Sequence, residues 1–215
     1  MRNFLLICTI LVSLSLNAQS TFSLNKLEEI ESSNNYDYNI TQIEKELKKE
    51  HSNNDLLKLQ TLLITNYINT FQFNKASSFC QEKILEAKKN KLPFHEANLY
   101  RYLGNVYYHL KQIDKAELYW NQCLQIAEEY QYNELLKKCN HNIGVIAFEN
   151  EINYTKAEIY FLKAIEFGKK IPQNKIENLA GQYRLLASTY DVTGKYKKAD
   201  SLFNITEQIY NLYQD

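Results

Sequence analysis

Four times this chain writes a Lys-Ala pair at the head of a helical stretch: Lys75-Ala76, Lys115-Ala116, Lys156-Ala157 and Lys198-Ala199. The alanines follow one another at intervals of 40, 41 and 42 residues. A bulky apolar residue stands two before each pair, at Phe73, Ile113, Tyr154 and Tyr196. Another stands three after each alanine, at Phe79, Tyr119, Tyr160 and Leu202. Self-similarity at such an interval is the mark of an array of repeats rather than a single closed globule. One unit cannot bury its apolar face alone, but stacked neighbours bury it for each other.

The clearest unit reads Tyr100-x-x-Leu103-Gly104-x-x-Tyr107, followed by Ala116-x-x-x-Trp120. Tyr100, Leu103, Gly104 and Tyr107 fall on one stripe of a helix. Gly104 removes a side chain where a second helix must cross closely. Ala116 does the same from the other side, and Trp120, one turn on, fills the groove beside it. Between them, Lys111-Gln112-Ile113-Asp114 reads as a turn in which the Asp114 carboxylate caps free backbone amides. The third unit carries Asn140, Ile143-Gly144 and Ala147, then Ala157 and Phe161, with one residue inserted before Ala157. The fourth carries Tyr183, Leu186-Ala187 and Tyr190, then Ala199 and Phe203; the first carries Gln60, Leu63-Ile64 and Tyr67, then Ala76 and Cys80.

This pattern resembles the tetratricopeptide (TPR) repeat over residues 56–215. The resemblance implies an all-α fold, a right-handed α-solenoid of stacked antiparallel helix pairs. The interval exceeds the usual TPR length of about 34 residues by about six and is similar to that of bacterial TPR-like arrays with longer helices. The surplus is expected at the end of each second helix, as in Ala116 to Tyr130. Pro93 and Pro172 both fall between repeats, where a helix should stop.

Three segments follow: 1–18, 19–55 and 56–215, the last holding four TPR-like helix pairs. Arg2, a mostly apolar run from Phe4 to Leu16 and a small residue at Ala18 read as a signal peptide cut after Ala18. The run is shorter than the about 20 residues of a bilayer span. Cys8 lies inside it, so a lipoprotein signal is not expected. The chain is therefore expected to be periplasmic or secreted, with no membrane span once the signal is removed. In 19–55, Leu24-x-x-Leu27-x-x-Ile30 and Ile40-x-x-Ile43-x-x-x-Leu47 read as two helices, a degenerate repeat or a cap, separated by the turn Ser32 to Asn35. The last helix, near Lys197 to Tyr213, carries Ile205, Ile209, Tyr210 and Leu212. A second copy, in a homodimer, or a partner would cover them; otherwise the helix simply has a modest apolar face.

The chain carries 25 basic and 25 acidic residues. Without Arg2 the balance is one negative charge, no footprint for a nucleic-acid binder. His51, His95, His109 and His141 form no pair at helical ligand spacing around a carboxylate. Cys139 and His141, two apart, would point to different faces of a helix. Cys80 and Cys123 sit in small or apolar slots of second helices and read as buried thiols. No serine elbow, phosphate loop or dinucleotide glycine run is present. No enzyme activity, metal or cofactor is expected.

The TPR resemblance implies that peptides or protein segments bind in a concave groove lined by the first helices. Counted from the motif, Arg101, Asn105 and Tyr108 face it in the second repeat, Lys138, His141, Asn142 and Phe148 in the third, and Arg184 in the fourth. Arg101 with Asn105, and Asn142 next door, resembles the carboxylate clamp of chaperone-binding TPR domains. The remaining basic pair of that clamp would fall at Gly181 and Leu185, which cannot serve. A more general polar and aromatic groove is expected instead. The reading is a non-catalytic exported interaction scaffold. The alternative is an extracytoplasmic input module of a bacterial regulatory system, acting through a partner.

Overall fold

The computed structural model describes residues 33, 35–49, 51–172 and 179–212. Every regular element among them is an α-helix. The signal segment 1–18 and the Leu24, Leu27, Ile30 stretch lie outside the described residues. The chain divides into two units, Met1–Ala76 and Ser77–Asp215.

The first unit holds α1 (Tyr36–Glu46) and α2 (Asn53–Asn69). Both starts are capped by short polar side chains that satisfy otherwise orphaned amides. The Asn35 side-chain oxygen accepts from the Tyr38 amide at 3.1 Å. Ser52 Oγ accepts from the Asp55 amide at 3.2 Å and donates to Asp55 Oδ2 at 2.6 Å. The α1 helix packs on α2. It buries Ile40 and Ile43, while α2 buries Leu59, Leu63, Ile64 and Tyr67. The Tyr67 hydroxyl donates to Glu44 Oε1 and ties the two helices at their rim. The helix α3 (Phe73–Lys89) contributes residues to both units.

The second unit continues with α4 (Pro93–His109), α5 (Ile113–Glu129), α6 (Asn133–Glu149), α7 (Tyr154–Lys169), α8 (Leu179–Val192) and α9 (Tyr196–Leu212). The hairpins α4–α5, α6–α7 and α8–α9 pack internally, and each packs on the next through α5–α6 and α7–α8. The helices α3, α4, α5 and α6 are each 17 residues long. Three-residue turns join them, so a hairpin repeats after 40 residues. The surplus over a shorter repeat is thus divided between both helices of a pair, not placed at the end of the second. Lengthening one helix alone would leave its last turn with no partner across the hairpin.

The turns explain themselves at the backbone. Lys91, Lys111 and Gln131 adopt left-handed φ values of 54°, 60° and 57°. This lets the Gln112 amide reach back to the Tyr107 carbonyl at 2.9 Å and the Lys111 amide to the Tyr108 carbonyl at 2.9 Å. Leu92 to Ala87 and Tyr132 to Ala127 repeat the first bond, both at 2.9 Å. These bonds satisfy the last carbonyls of each helix. They also correct the expectation for Asp114. Gln112 occupies the N-cap without a side-chain cap bond, and Asp114 already lies in the first turn of α5, where it contributes charge to the dipole only. The residue inserted before Ala157 falls in the turn between α6 and α7, where Ile152 takes the left-handed position at φ 52°.

Small residues set the hairpin crossings. A Cβ at Gly104 would run into the Trp120 indole, and one at Gly144 would stand 2.6 Å from the Phe161 ring. Trp120 and Phe161 are 2% and 0% exposed. Ala116, Ala157 and Ala199 are likewise buried. In the last hairpin Ala187 fills the glycine slot, and its aromatic, Phe203, is 39% exposed. The lysine of the Lys-Ala pair has its own role. Lys75, Lys115 and Lys198 lie over the rings of Tyr67, Tyr107 and Tyr190 at 5.8, 5.1 and 5.3 Å. In the third repeat that tyrosine is Ala147, and Lys156 pairs instead with Glu117 and Glu151 at 2.9 and 3.0 Å.

On α9, Tyr196 and Tyr210 are exposed while Ile205 and Ile209 are half-buried. No helix among the described residues is long and apolar enough to cross a membrane.

Two substitutions test this account. Gly144→Ala forces a methyl into the Phe161 ring and should cost about 1–3 kcal/mol in urea unfolding. Adding Phe161→Leu should recover part of that loss, and strictly additive losses would refute the fit. Ile152→Gly removes a β-branched residue from a left-handed site and should raise stability by about 1 kcal/mol. A lower melting temperature would show that the Ile152 side chain holds the turn.

Candidate functional site

In the second unit the first helices of three hairpins meet, α4 against α6 and α6 against α8. Between them lies a cavity of about 260 Å³, lined by Arg101, Asn105, Lys137, Lys138, His141, Asn142 and Gln182. Every described lining residue is polar. Five of the eight residues read from the sequence converge there: Arg101, Asn105, Lys138, His141 and Asn142.

The other three lie outside the lining. The Tyr108 hydroxyl donates to Glu149 Oε2 at 3.2 Å, and its ring tilts on Trp120 at 6.0 Å. Phe148 packs edge-on against Tyr154 at 5.5 Å and against the core around Ala147, Ala157 and Phe161. Arg184 is exposed. Lys137 and Gln182 are the additions. Gln182 was within reach of periodicity: Arg101, His141 and Gln182 stand at intervals of 40 and 41, one position of three successive repeats. Lys137 lies on the buried side of α6, beside Leu135 and Leu136, where a helical count assigns core.

Each side chain is held from below. Arg101 donates through Nε and Nη2 to Asn98 Oδ1 at 3.1 and 3.0 Å. Trp120 Nε1, the knob of the α4–α5 crossing, donates to the Arg101 carbonyl at 3.0 Å and to Asn105 Oδ1 at 3.1 Å. Asn142 Nδ2 donates to the same Asn105 oxygen at 3.0 Å and so links α4 to α6. Lys138 pairs with Glu134 at 2.7 Å. Gly168 leaves room for the Lys137 stem, whose Cδ lies 3.3 Å from where a Cβ would stand.

The charges do not balance. Arg101 and Lys137 are 8% and 4% exposed. Among the described residues Arg101 meets no carboxylate, and Lys137 has no hydrogen bond or ion pair. Burial holds the Lys137 ammonium below the usual lysine range, and Lys138 adds to this while Glu134 opposes it. Burial also pushes His141 down to about 4, helped by Lys137 and Arg184. The imidazole is therefore neutral near pH 7, and Gln182 Nε2 donates to its Nδ1 at 3.2 Å. Gln182 Oε1 is buried without a partner among the described residues.

Among the described residues the cavity lining holds no carboxylate, hydroxyl or thiol. Its chemistry is that of donors and positive charge, suited to holding an anionic group. Cys139 does not join His141. Burial raises its thiol well above the usual range, and a hydrogen bond with Cys123, itself buried, adds to this. No group of three potential metal ligands occurs among the described residues.

The His141 shift sets a pH dependence. Between pH 6.5 and about 4 the unfolded chain takes up a proton that folded His141 refuses. Stability present above pH 6.5 is lost as pH falls toward 4, by on the order of 3 kcal/mol. His141→Gln should flatten this part of the stability profile in urea unfolding, and an unchanged slope would refute the assignment.

Residues 97–130 match the tetratricopeptide repeat family. None of the curated proteins matches the chain. Among solved structures it is similar to BtubC (BKLC) from P. vanneervenii, with 17% identity, 82% of this chain and 71% of that one covered, and a TM-score of 0.63. It is similar to the Rap conjugation gene regulator of the plasmid pLS20, solved in complex with a Phr peptide, at 16% identity and a TM-score of 0.68. That match covers 84% of this chain but only 50% of the regulator, so the chain spans half its length. Nearly identical TPR-like repeats from Podosopora anserina match at 16% identity, with 93% and 96% of the two chains covered and a TM-score of 0.62. These likenesses establish an all-α, TPR-like repeat fold.

Proposed function

We propose that the chain is a non-catalytic, exported scaffold that binds a peptide or protein segment along the face of α4, α6 and α8. The observation that carries this reading is the convergence of side chains from three successive repeats on one polar cavity. Donors held by a rigid second layer, Asn98 behind Arg101 and Trp120 behind Asn105, suit recognition, where groups must be fixed before the partner arrives. Tyr108 and Arg184 extend the face beyond the cavity. A regulator of the same fold class holds a peptide, which supports a peptide or segment as the class of partner. Export rests on Arg2, the run Phe4 to Leu16 and the small residue Ala18. An input module acting through a partner would use the same face.

The test is recovery of the tagged chain and its partners from an envelope fraction. The recovered chain should begin at Gln19, and Arg101→Glu and Arg184→Glu should each lower recovery of the main partner by about tenfold. Equal recovery by both variants, with helical circular dichroism intact, would reject the face. A chain beginning at Met1 in the cytoplasmic fraction would reject export.

A further inference from the structure

We infer that a second cavity, on the last hairpin, takes a small aromatic acid, its planar ring seated against Tyr183 and Tyr190 and its anionic group held by lysines. The cavity has a volume of about 420 Å³ and is lined from α7, α8 and α9. Its lining shares no residue with the polar cavity, so the inference does not depend on the proposed peptide-binding face.

The chain itself shows what such a frame holds. In the second repeat Tyr119 stacks on Tyr100 and Tyr107, with ring centroids 6.1 and 5.3 Å apart and planes 19° and 14° from parallel. Lys88 lies over Tyr100 at 5.4 Å and Lys115 over Tyr107 at 5.1 Å. Each residue of this frame recurs in the last repeat. Tyr183 and Tyr190 stand for the two tyrosines, and Lys198 stands for Lys115. Lys169, twelve after Ala157, stands for Lys88, twelve after Ala76. All four line the cavity. The middle ring is what the last repeat lacks. Leu202 occupies the position of Tyr119, and Ser201 stands where the second and third repeats carry Leu118 and Ile159. Leucine has no π-face to offer the flanking tyrosines.

Charge decides the rest of the ligand. Lys170 and Lys195 pair with Glu166 and Glu158. Lys169, Lys197 and Lys198, which line the cavity, make no ion pair among the described residues, and the described lining holds no carboxylate. The buried Ile165 and Leu186 supply an apolar wall. A neutral ring would leave the cations unanswered, and an alkyl acid would leave the tyrosine faces without a partner. A ring that carries a carboxylate meets both. The volume falls within the roughly 300–1,000 Å³ of small-molecule sites, so the occupant is a free molecule rather than a protein segment.

The test uses the full chain with four probes: naphthoate, its neutral amide, decanoate, and a blocked peptide with adjacent aspartate and tryptophan. Binding is followed by calorimetry and by the NMR ring signals of Tyr183 and Tyr190. Naphthoate should bind and shift both sets of signals, while the amide and decanoate bind about tenfold more weakly or not at all. Joint Lys169→Gln and Lys197→Gln substitution should weaken naphthoate by about tenfold and leave the amide unchanged. Leu202→Tyr restores the missing ring. It should raise the melting temperature by a few degrees and abolish naphthoate binding. Binding lost in a more stable chain is loss of the slot, not of the fold. Decanoate bound as tightly as naphthoate would overturn the ring, and the amide bound as tightly would overturn the charge. Tighter binding of the peptide would overturn the free molecule. Naphthoate that fails to bind, binds without moving the Tyr183 and Tyr190 signals, or binds Leu202→Tyr equally well would overturn the site.

Discussion

Close crossing of two helices is the constraint on which the second unit depends. Two helices of 17 residues approach tightly only where one of them lacks a side chain. At Gly104 and Gly144 that gap is filled by the aromatic of the partner helix, Trp120 or Phe161. The fit works in both directions. The ring closes the hairpin because the glycine is there, and the glycine is required because the ring is there. Where the slot holds Ala187, its ring, Phe203, stands partly in solvent.

The same knob builds the candidate site. The buried Trp120 indole has one N–H to place, and it places it on the Arg101 carbonyl and the Asn105 oxygen. Asn105 in turn accepts from Asn142 in the next repeat. Packing that closes one hairpin thereby fixes the polar groups on the opposite face of its first helix. The site is an extension of the repeat core rather than an addition to it. Its cost is a pair of buried cations, Arg101 and Lys137, neither of which makes an ion pair among the described residues.

Much of this was legible from spacing. The recurrence of Lys-Ala located the second helices, and the Leu-Gly slots located the crossings. Five residues of the cavity were readable because a helical count from the motif says which side of a first helix faces away from its partner. The count failed where side-chain length matters. Phe148 was assigned to the open face, yet its ring bends back onto Tyr154 and the core. Lys137 was hidden by the opposite effect. Its position is a core position, but its long stem passes Gly168 and the residue lines the cavity.

The sequence by itself determined the class of the object, because periodicity reports on what must be buried and burial repeats with the unit. It did not show the role of the recurring lysine, which the structure places over a tyrosine of the preceding helix except where that tyrosine is Ala147. Tertiary structure alone decided how the surplus length is divided, since matching the ends of two antiparallel helices is a property of the pair. It alone decided that Arg101, Lys137 and Gln182 share one cavity. Those residues come from three helices, and which distant side chains meet, and which charges are left unanswered, depends on how hairpins stack.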